Sequence, residues 1–355
     1  MKTLAPVALD NARFCAAINS VAAKMGGHTA LGNSAMAGNL PHGTVCLAND
    51  SMLRATEYLE ELTTFAISYD SMKGQNLQKL RDAIAPPRPS NSRIVRLTTY
   101  DENEPWQTID YTKVKRAIGG DFHTVRQRVA SKSDLQIPNR GLAVVLDRDE
   151  LKDKPEWQQL HTKWLLDLMM LATVLEGVSL IQTSAIVTPT LTWDNGANPD
   201  LDVKNNIIQL ANATGFYPNT AAYGDVAHLI RSVAYEGQLT AGSIARAMWT
   251  TEDQMATALG VKNAIINAER YATAANSGIK QEILGSNVYL WTALAESPMD
   301  ASNIVRHVAN SAYGGGEYAV YLTELGVKKL VLTVENYEYL HVQHTTGLMQ
   351  MPVQV

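Results

Sequence analysis

The chain is short of cysteine and of charge. Only Cys15 and Cys46 occur among 355 residues, too few for a disulfide framework, so we expect buried thiols in a reducing cytoplasm. Charged residues make up 18% of the sequence, below the roughly 25% typical of soluble domains. This deficit indicates that part of the surface is weakly polar or covered by partners. The net charge of -5 excludes a global attraction for nucleic acid or anionic lipid.

The sequence also lacks motifs for catalysis and cofactor binding. It contains no Walker loop, no G-x-S-x-G elbow, no H-E-x-x-H pair and no G-x-G-x-x-G between a strand and a helix. The glycines Gly314–Gly316 precede a strand-like segment, so an anion site there would lack a helix N-terminus. We therefore interpret these glycines as a flexible loop.

The remaining candidate side chains have structural interpretations. His341 and His344 are the closest histidine pair, and at this spacing on a strand they would point to opposite faces, which argues against a metal site. Asp147, Asp149 and Glu150 lie at a helix entrance, where the helix dipole accounts for them. We expect no catalytic, cofactor-binding or metal-binding residue. We also expect no export, because Asp10 and Arg13 interrupt any apolar signal segment.

The longest helical pattern runs from Asp147 to Gly177. Pro155 suits a first helical turn and Gly177 suits a helix C-terminus, which predicts a long and mostly buried helix between them. Asp167 and Thr173 interrupt its apolar run, so a membrane span is not expected.

The region before this helix changes character twice. Residues 1–50 are rich in Ala, Gly and Asn and cannot form a core alone, which predicts an extended arm. Asp50–Phe65 has the pattern of a short amphipathic helix, and a polar stretch with three prolines follows it. Alternating and β-branched runs between Arg93 and Val129 predict a long β-hairpin that turns at the segment DENEP and is followed by further strand.

The hairpin region is locally basic, which indicates either a solvated face or contact with an acidic neighbouring subunit. Its basic residues are Arg93, Arg96, Lys113, Lys115, Arg116, Arg126 and Arg128, and its acidic residues are Asp101, Glu102, Glu104, Asp110 and Asp121.

The segments around and after the long helix predict an α+β fold. Strands are expected at Gly141–Leu151, Val178–Trp193, Val261–Tyr271, Asn287–Ala295 and in two runs between Glu317 and His344; helices are expected up to Gly215, between Gly224 and Gly237, and from Thr251 to Gly260.

The order of these elements, with several short motifs, resembles the major capsid proteins of tailed double-stranded DNA phages, the Hong Kong 97-type fold. The motifs are Asn139–Leu142 entering Val145–Asp147, Trp193-Asp194, Asn198–Val203, Pro218-Asn219, Thr251–Val261, Ile283–Gly285 and Asn287-Val288. The resemblance covers residues 50–355.

The resemblance implies a division into functional regions. These are an N-terminal arm (1–50), a short helix and connector (51–87), an extended β-hairpin loop (88–136), a peripheral domain (137–202) with a spine helix (149–177), an axial domain (203–325) and returning peripheral-domain strands (326–355). It also implies a non-enzymatic subunit, without cofactor, that assembles as hexamers and pentamers into an icosahedral head around double-stranded DNA.

The implied partners are other copies of the chain, with portal, scaffolding or cement proteins and packaged DNA held without sequence-specific contact, and no membrane. The implied location is the virion capsid, after synthesis in the host cytoplasm. Some family members cross-link subunits through a Lys and an Asn; no motif singles out Lys113 or Lys115, so no cross-link is expected. An encapsulin-like cellular shell and a cytoplasmic α+β enzyme are the alternative interpretations.

Overall fold

A computed structural model shows how these segments are arranged. It describes residues 57–69, 72–100, 114–115, 120, 129–151, 156–238, 240–248, 251–274, 278–294, 302–310, 316–325 and 328–355. The expected arm, together with Cys15 and Cys46, lies outside the described residues.

The helices of the described residues differ greatly in length. They are α1 (Glu60–Ile67), α2 (Met72–Ile84), α3 (Arg148–Leu151), α4 (Trp157–Ser184), α5 (Pro199–Thr214), α6 (Asp225–Glu236), α7 (Ala241–Ala247) and α8 (Glu252–Leu259).

The strands of the described residues form two six-stranded sheets and two separate two-stranded ones. In chain order they are β1 (Glu57–Tyr58), β2 (Pro87–Ser90), β3 (Ile94–Tyr100), β4 (Val129–Gln136), β5 (Asn139–Asp147), β6 (Ile186–Val187), β7 (Leu191–Thr192), β8 (Thr220–Gly224), β9 (Asn263–Asn267), β10 (Arg270–Ala272), β11 (Lys280–Glu282), β12 (Asn287–Trp291), β13 (Ile304–Ala309), β14 (Tyr318–Leu325), β15 (Lys329–Val342) and β16 (Met349–Gln354).

The first sheet is built around β15, the longest strand. The first half of β15 lies between β14 and β5, and its second half pairs with β13, in every case antiparallel. β1 pairs with β14 at one edge, and β2 lies parallel to β13 at the other. The helices α1, α2 and α4 contribute with this sheet to one hydrophobic core.

Helix α4 is longer than expected, and its end is not where Gly177 suggested. The helix continues to Ser184, so the expected strand from Val178 to Trp193 is wrong in its first part. Gly177 is instead a packing position: a Cβ atom there would lie 2.9 Å from Cγ2 of Ile84 on α2. The absence of a side chain therefore permits close approach of the two helices.

The expected spine-helix start is also corrected. Residues Arg148–Leu151 form the separate short helix α3, and α4 begins only at Trp157. Helix α4 is the one helix among the described residues that is long and apolar enough for a membrane span by length and composition. Half of its most apolar window is buried in the protein, as in the core helix of a globular protein.

Two expectations before the hairpin also need correction. Tyr58 lies in strand β1 and Leu59 is the residue before α1, so the helix expected over Asp50–Phe65 begins later, at Glu60. The polar stretch after it contains helix α2, which was not among the expected helices. Its residues Leu77 and Leu80 are almost completely buried, because α2 packs against α4.

In the described part of the chain, the partner of strand β3 is β4. The two strands are separated by 28 residues in the chain, and Ile94 lies opposite Gln136. The expected turn DENEP and the expected partner strand, up to Lys113, lie outside the described residues. Strands β3 and β4 form a separate two-stranded sheet.

The second sheet has the order β6-β16-β12-β8-β9, with β7 also on β16. The central strand is β12, and one of its faces, including Val288 and Leu290, packs into a core with helices α5, α6 and α8. The other face, including Tyr289 and Trp291, joins the core of the first sheet. Strands β13 and β16 were not among the expected strands.

Local end signals predicted the helices on this sheet well. Helix α5 ends at Gly215, which has a left-handed φ of 77°. Helix α8 begins after Thr251, whose side chain accepts a hydrogen bond from the Gln254 amide, and ends at Gly260 with φ 74°. These predictions are confirmed.

The expected ranges 203–325 and 326–355 each contribute strands to both six-stranded sheets. Strands β13 and β14 fall in the range 203–325 but pair with β15 in the first sheet. Strand β16 falls in the range 326–355 but pairs with β12 in the second sheet.

Candidate assembly surfaces

The positions singled out in the sequence have structural roles where they are described. Asp147 accepts a hydrogen bond from the amide of Asp149 at 2.9 Å, as expected for a carboxylate at a helix entrance. His341 lies on β15, whereas His344 lies beyond its end, so the two do not share a strand. Gly316 is described, but Gly314 and Gly315 are not.

Among the described residues, no three His, Cys, Asp or Glu side chains come together in a way that could hold a metal ion.

Exposed apolar side chains occur in pairs on several helices. Leu160 and Trp164 are 61% and 51% exposed and lie one turn apart on α4. Pairs with the same spacing lie at the adjacent helices α6 and α7: Leu229 with Val233 on α6, and Ile244 on α7 with Met248, the residue that follows it. Contiguous exposed apolar patches, to which such neighbouring side chains contribute, mark surfaces that contact other protein chains.

A groove of about 420 Å³ lies between α4 and β5. Its apolar side includes Leu142 of β5 with Met169 and Ala172 of α4. Its polar end includes Arg140 and Glu176, which form an ion pair, and Asn336 of β15. No local sequence pattern indicates this groove, because its sides come from segments far apart in the chain.

Buried ion pairs lie beneath the first sheet. Arg306 is fully buried and donates hydrogen bonds to Glu317 at 2.6 Å and to Asp82 at 3.0 Å. Arg81, also buried, donates to Glu317 at 3.3 Å and to the hydroxyl of Tyr318 at 2.8 Å. Burial by itself would raise the pKa of Glu317, but the two guanidinium groups outweigh it and hold this pKa below its ordinary value.

Glu338 connects these ion pairs to the groove. Its Oε2 lies 3.5 Å from Nη1 of Arg306, and its Oε1 lies 4.0 Å from Nη1 of Arg140. Asn336 donates a hydrogen bond to Glu338 Oε2 at 2.9 Å.

His307 is a buried titratable group on β13. Burial first, and then the nearby Arg88 and His341, lower its pKa from 6.5 to about 4. His307 is therefore neutral in the folded protein at physiological pH.

Comparisons with known proteins identify the fold. No family model and no curated protein matches the sequence. A phage-related protein from Bordetella bronchiseptica RB50 is similar in structure, with a TM-score of 0.58 at 15% identity over 84% of this chain and 98% of that one.

Two further solved structures are less similar. A chain of Mycobacterium phage Che8 has a TM-score of 0.44 at 9% identity, over 84% of this chain and 94% of that one. A chain of the mature capsid of bacteriophage PhiM1 has a TM-score of 0.43 at 10% identity, over 81% of this chain and 88% of that one. The likeness to the Bordetella protein shows that the two chains share a fold, and the mixture of helices and strands confirms the expected α+β class.

Proposed function

We propose that the chain is a structural subunit that assembles with copies of itself into the icosahedral head of a tailed phage. The carrying observation is that its fold is shared over 84% of its length with a phage-related protein. In this proposal the copies form hexamers and pentamers that enclose double-stranded DNA. The role is structural and not catalytic.

The surface composition supports contacts between copies. Apolar pairs are exposed on α4, α6 and α7, and charged residues make up only 18% of the chain. Burying such pairs against other copies would remove apolar area from water, which stabilises the assembly. Repeated contacts of this kind are a feature of symmetric assemblies.

The domain roles belong to the same proposal. Residues 1–50 act as an arm on a neighbouring copy, and residues 88–136 form the extended loop. The first sheet with α4 forms the peripheral domain, and the second sheet with α5–α8 forms the axial domain around the capsomer axis. The core that the second sheet shares with helices α5, α6 and α8 supports the axial assignment.

The proposed partners are further copies, portal, scaffolding or cement proteins, and packaged DNA without sequence-specific contact. The net charge of -5 is compatible with a shell wall, because densely packed DNA is neutralised largely by counterions. The proposed location is the virion, after synthesis in the host cytoplasm.

Size-exclusion chromatography with electron microscopy of the purified chain tests the proposal. Shells, tubes or hexameric rings are expected. Shells that contain a protein cargo and no DNA would assign the chain to cellular encapsulin-like compartments. A monodisperse dimer or tetramer that never assembles at high concentration would contradict the proposal and favour an enzyme.

Deleting residues 1–50 tests the arm. The truncated chain is expected to keep its far-UV circular dichroism but not to form stable shells. Collapse of the dichroism would show that these residues belong to the folded core.

A further inference from the structure

Basic side chains of three adjacent strands meet on one face of the first sheet. Arg88 of β2 lies opposite His307 of β13, and His341 of β15 lies opposite Val305, two residues from His307. Residues opposite each other in a ladder, and residues two apart in one strand, have their side chains on the same face. Arg88, His307 and His341 therefore form a cluster, with His307 on the middle strand.

The three strands place no acidic residue next to this cluster. The other positions that share its face are Ser90, Val305, Ala309, Tyr337 and Tyr339. The first acidic residue along this face of β15 is Glu335, which accepts hydrogen bonds from Asn139 at 2.9 Å and from the hydroxyl of Tyr321 at 2.9 Å. This part of the sheet face is therefore basic and aromatic.

The cluster can be reached from solvent. Arg88 and His341 are half-buried, and His307 is 6% exposed on the strand between them. An anion can thus contact the two outer side chains directly and lie over the ring of His307.

The charges of the cluster favour an anion. Burial, and then the neighbouring Arg88 and His341, lower the pKa of His307 to about 4, so repulsion already disfavours a proton on its ring. An opposite charge within about 4–6 Å has the reverse effect and favours the protonated ring. Anion binding and protonation of His307 should therefore strengthen each other.

Aromatic rings border the cluster and limit the size of the ligand. The ring of Tyr339, opposite His307, stacks on the ring of His341 with 6.5 Å between centroids. The guanidinium of Arg93 lies 3.9 Å from the ring centroid of Tyr337 and extends the basic surface. Guanidinium groups match the oxygen geometry of phosphate, so a small oxyanion of this class fits the cluster.

We propose that Arg88, His307 and His341 form a binding site for a phosphate group. The Arg88 guanidinium donates charge-assisted hydrogen bonds to the phosphate oxygens, and His307 takes up a proton from water when the phosphate binds. Both a free phosphate ion and a nucleic-acid backbone offer this chemistry. The inference goes beyond the proposed function, because phosphate binding does not require copies to assemble.

Isothermal titration calorimetry with inorganic phosphate tests the site, at about pH 6 and with chloride as the competing anion at matched ionic strength. Arg88→Gln should weaken phosphate binding by about tenfold through loss of the charge-assisted hydrogen bonds. The matched control Arg96→Gln removes an exposed guanidinium that pairs with Asp134 on the β3–β4 sheet, and its affinity should be unchanged. Equal weakening in both variants, or no saturable binding by the unsubstituted chain, would overturn the proposal.

Nuclear magnetic resonance of the unsubstituted chain gives a readout that does not depend on a folded Arg88 variant. With carbon-13 in the histidine rings, the His307 signal is the one that His307→Gln removes. Saturating phosphate should raise its titration midpoint by about one pH unit. An unchanged midpoint would overturn the proposal even if phosphate binds elsewhere on the chain.

A short double-stranded DNA fragment distinguishes the two sources of phosphate. The same rise of the His307 midpoint with DNA would identify backbone phosphates as ligands, whereas a rise with inorganic phosphate alone would identify a free ion. No rise with either probe would overturn the site. Because these measurements use the unassembled chain, failure to form particles would contradict the proposed function and leave this inference standing.

Discussion

The ion pair between Asp200 and Arg231 provides a quantitative test of the fold around the second sheet. Nε of Arg231 donates to Oδ1 of Asp200 at 2.7 Å, and Nη2 donates to Oδ2 at 3.1 Å. Both side chains are almost completely buried, and they join the first turn of α5 to α6. The amide of Asp200 also donates to the hydroxyl of Tyr235 at 3.0 Å.

Removing either charge alone should be strongly destabilising. Asp200→Ala leaves a buried guanidinium without its carboxylate, and Arg231→Met leaves a buried carboxylate, so each should lower the free energy of unfolding by about 3–5 kcal/mol. The double variant removes both charges and retains apolar volume at residue 231. It should therefore lose less than either single variant.

Urea unfolding followed by circular dichroism, at a concentration below that of assembly, measures these differences. The matched control is Lys328→Ala, which removes an ion pair to Asp149 of similar length, 3.2 Å, at the protein surface. No measurable change is expected there, because both side chains are exposed to water. Additive losses in the double variant would refute the reasoning, since they would mean that the two charges do not compensate each other.

Three further predictions concern other parts of the fold. Gly177→Ala should lower the free energy of unfolding, measured in urea, by about 1–2 kcal/mol, because the new Cβ would overlap Ile84. The control Gly242→Ala in α7 meets no atom within 4 Å and should raise the free energy of unfolding by up to about 1 kcal/mol. A stabilising Gly177→Ala would contradict the close packing. The folded pKa of His307, about 4, lies below its unfolded value of 6.5, so the unfolded chain binds the extra proton between these values. Stability is therefore complete above pH 6.5 and falls as the pH drops toward 4, by at most about 3 kcal/mol; thermal unfolding of His307→Gln should show a flatter profile, and an identical profile would exclude this histidine as the cause. Thr251→Ala should cost about 1 kcal/mol through loss of the N-terminal cap of α8, measured by urea unfolding, and an unchanged midpoint would show that the cap is not stabilising.

The elements that were predicted well carry their signals within a few residues. Asp200 and Gly215 bracket α5, and Thr251 and Gly260 bracket α8, because a cap or a left-handed glycine acts on the nearest backbone groups. The alternating residues of β15 likewise predict a strand locally. Neither kind of signal depends on which segment lies alongside.

The wrong predictions concern residues whose structural role is set by a contact with a segment distant in the sequence. Gly177 has the residue type of a helix end, but it is used for the approach of Ile84, so the helix continues through it. Leu77 and Leu80 lie in a stretch that is polar in sequence, yet they are buried because helix α2 packs against α4. A sequence window cannot distinguish these cases, because the deciding partner lies outside it.

By itself, the sequence determined the α+β class, the long core helix, the ends of the helices on the second sheet and the resemblance to capsid proteins, all of which follow from local periodicity and the order of elements. Only the tertiary structure decided how β15 joins β5, β13 and β14, and where the groove lies. The physical reason is that the ion pairs beside the groove form only when groups far apart in the chain, such as Arg140, Glu176 and Glu338, are brought together. Their energy depends on distance and burial, which only the folded chain defines.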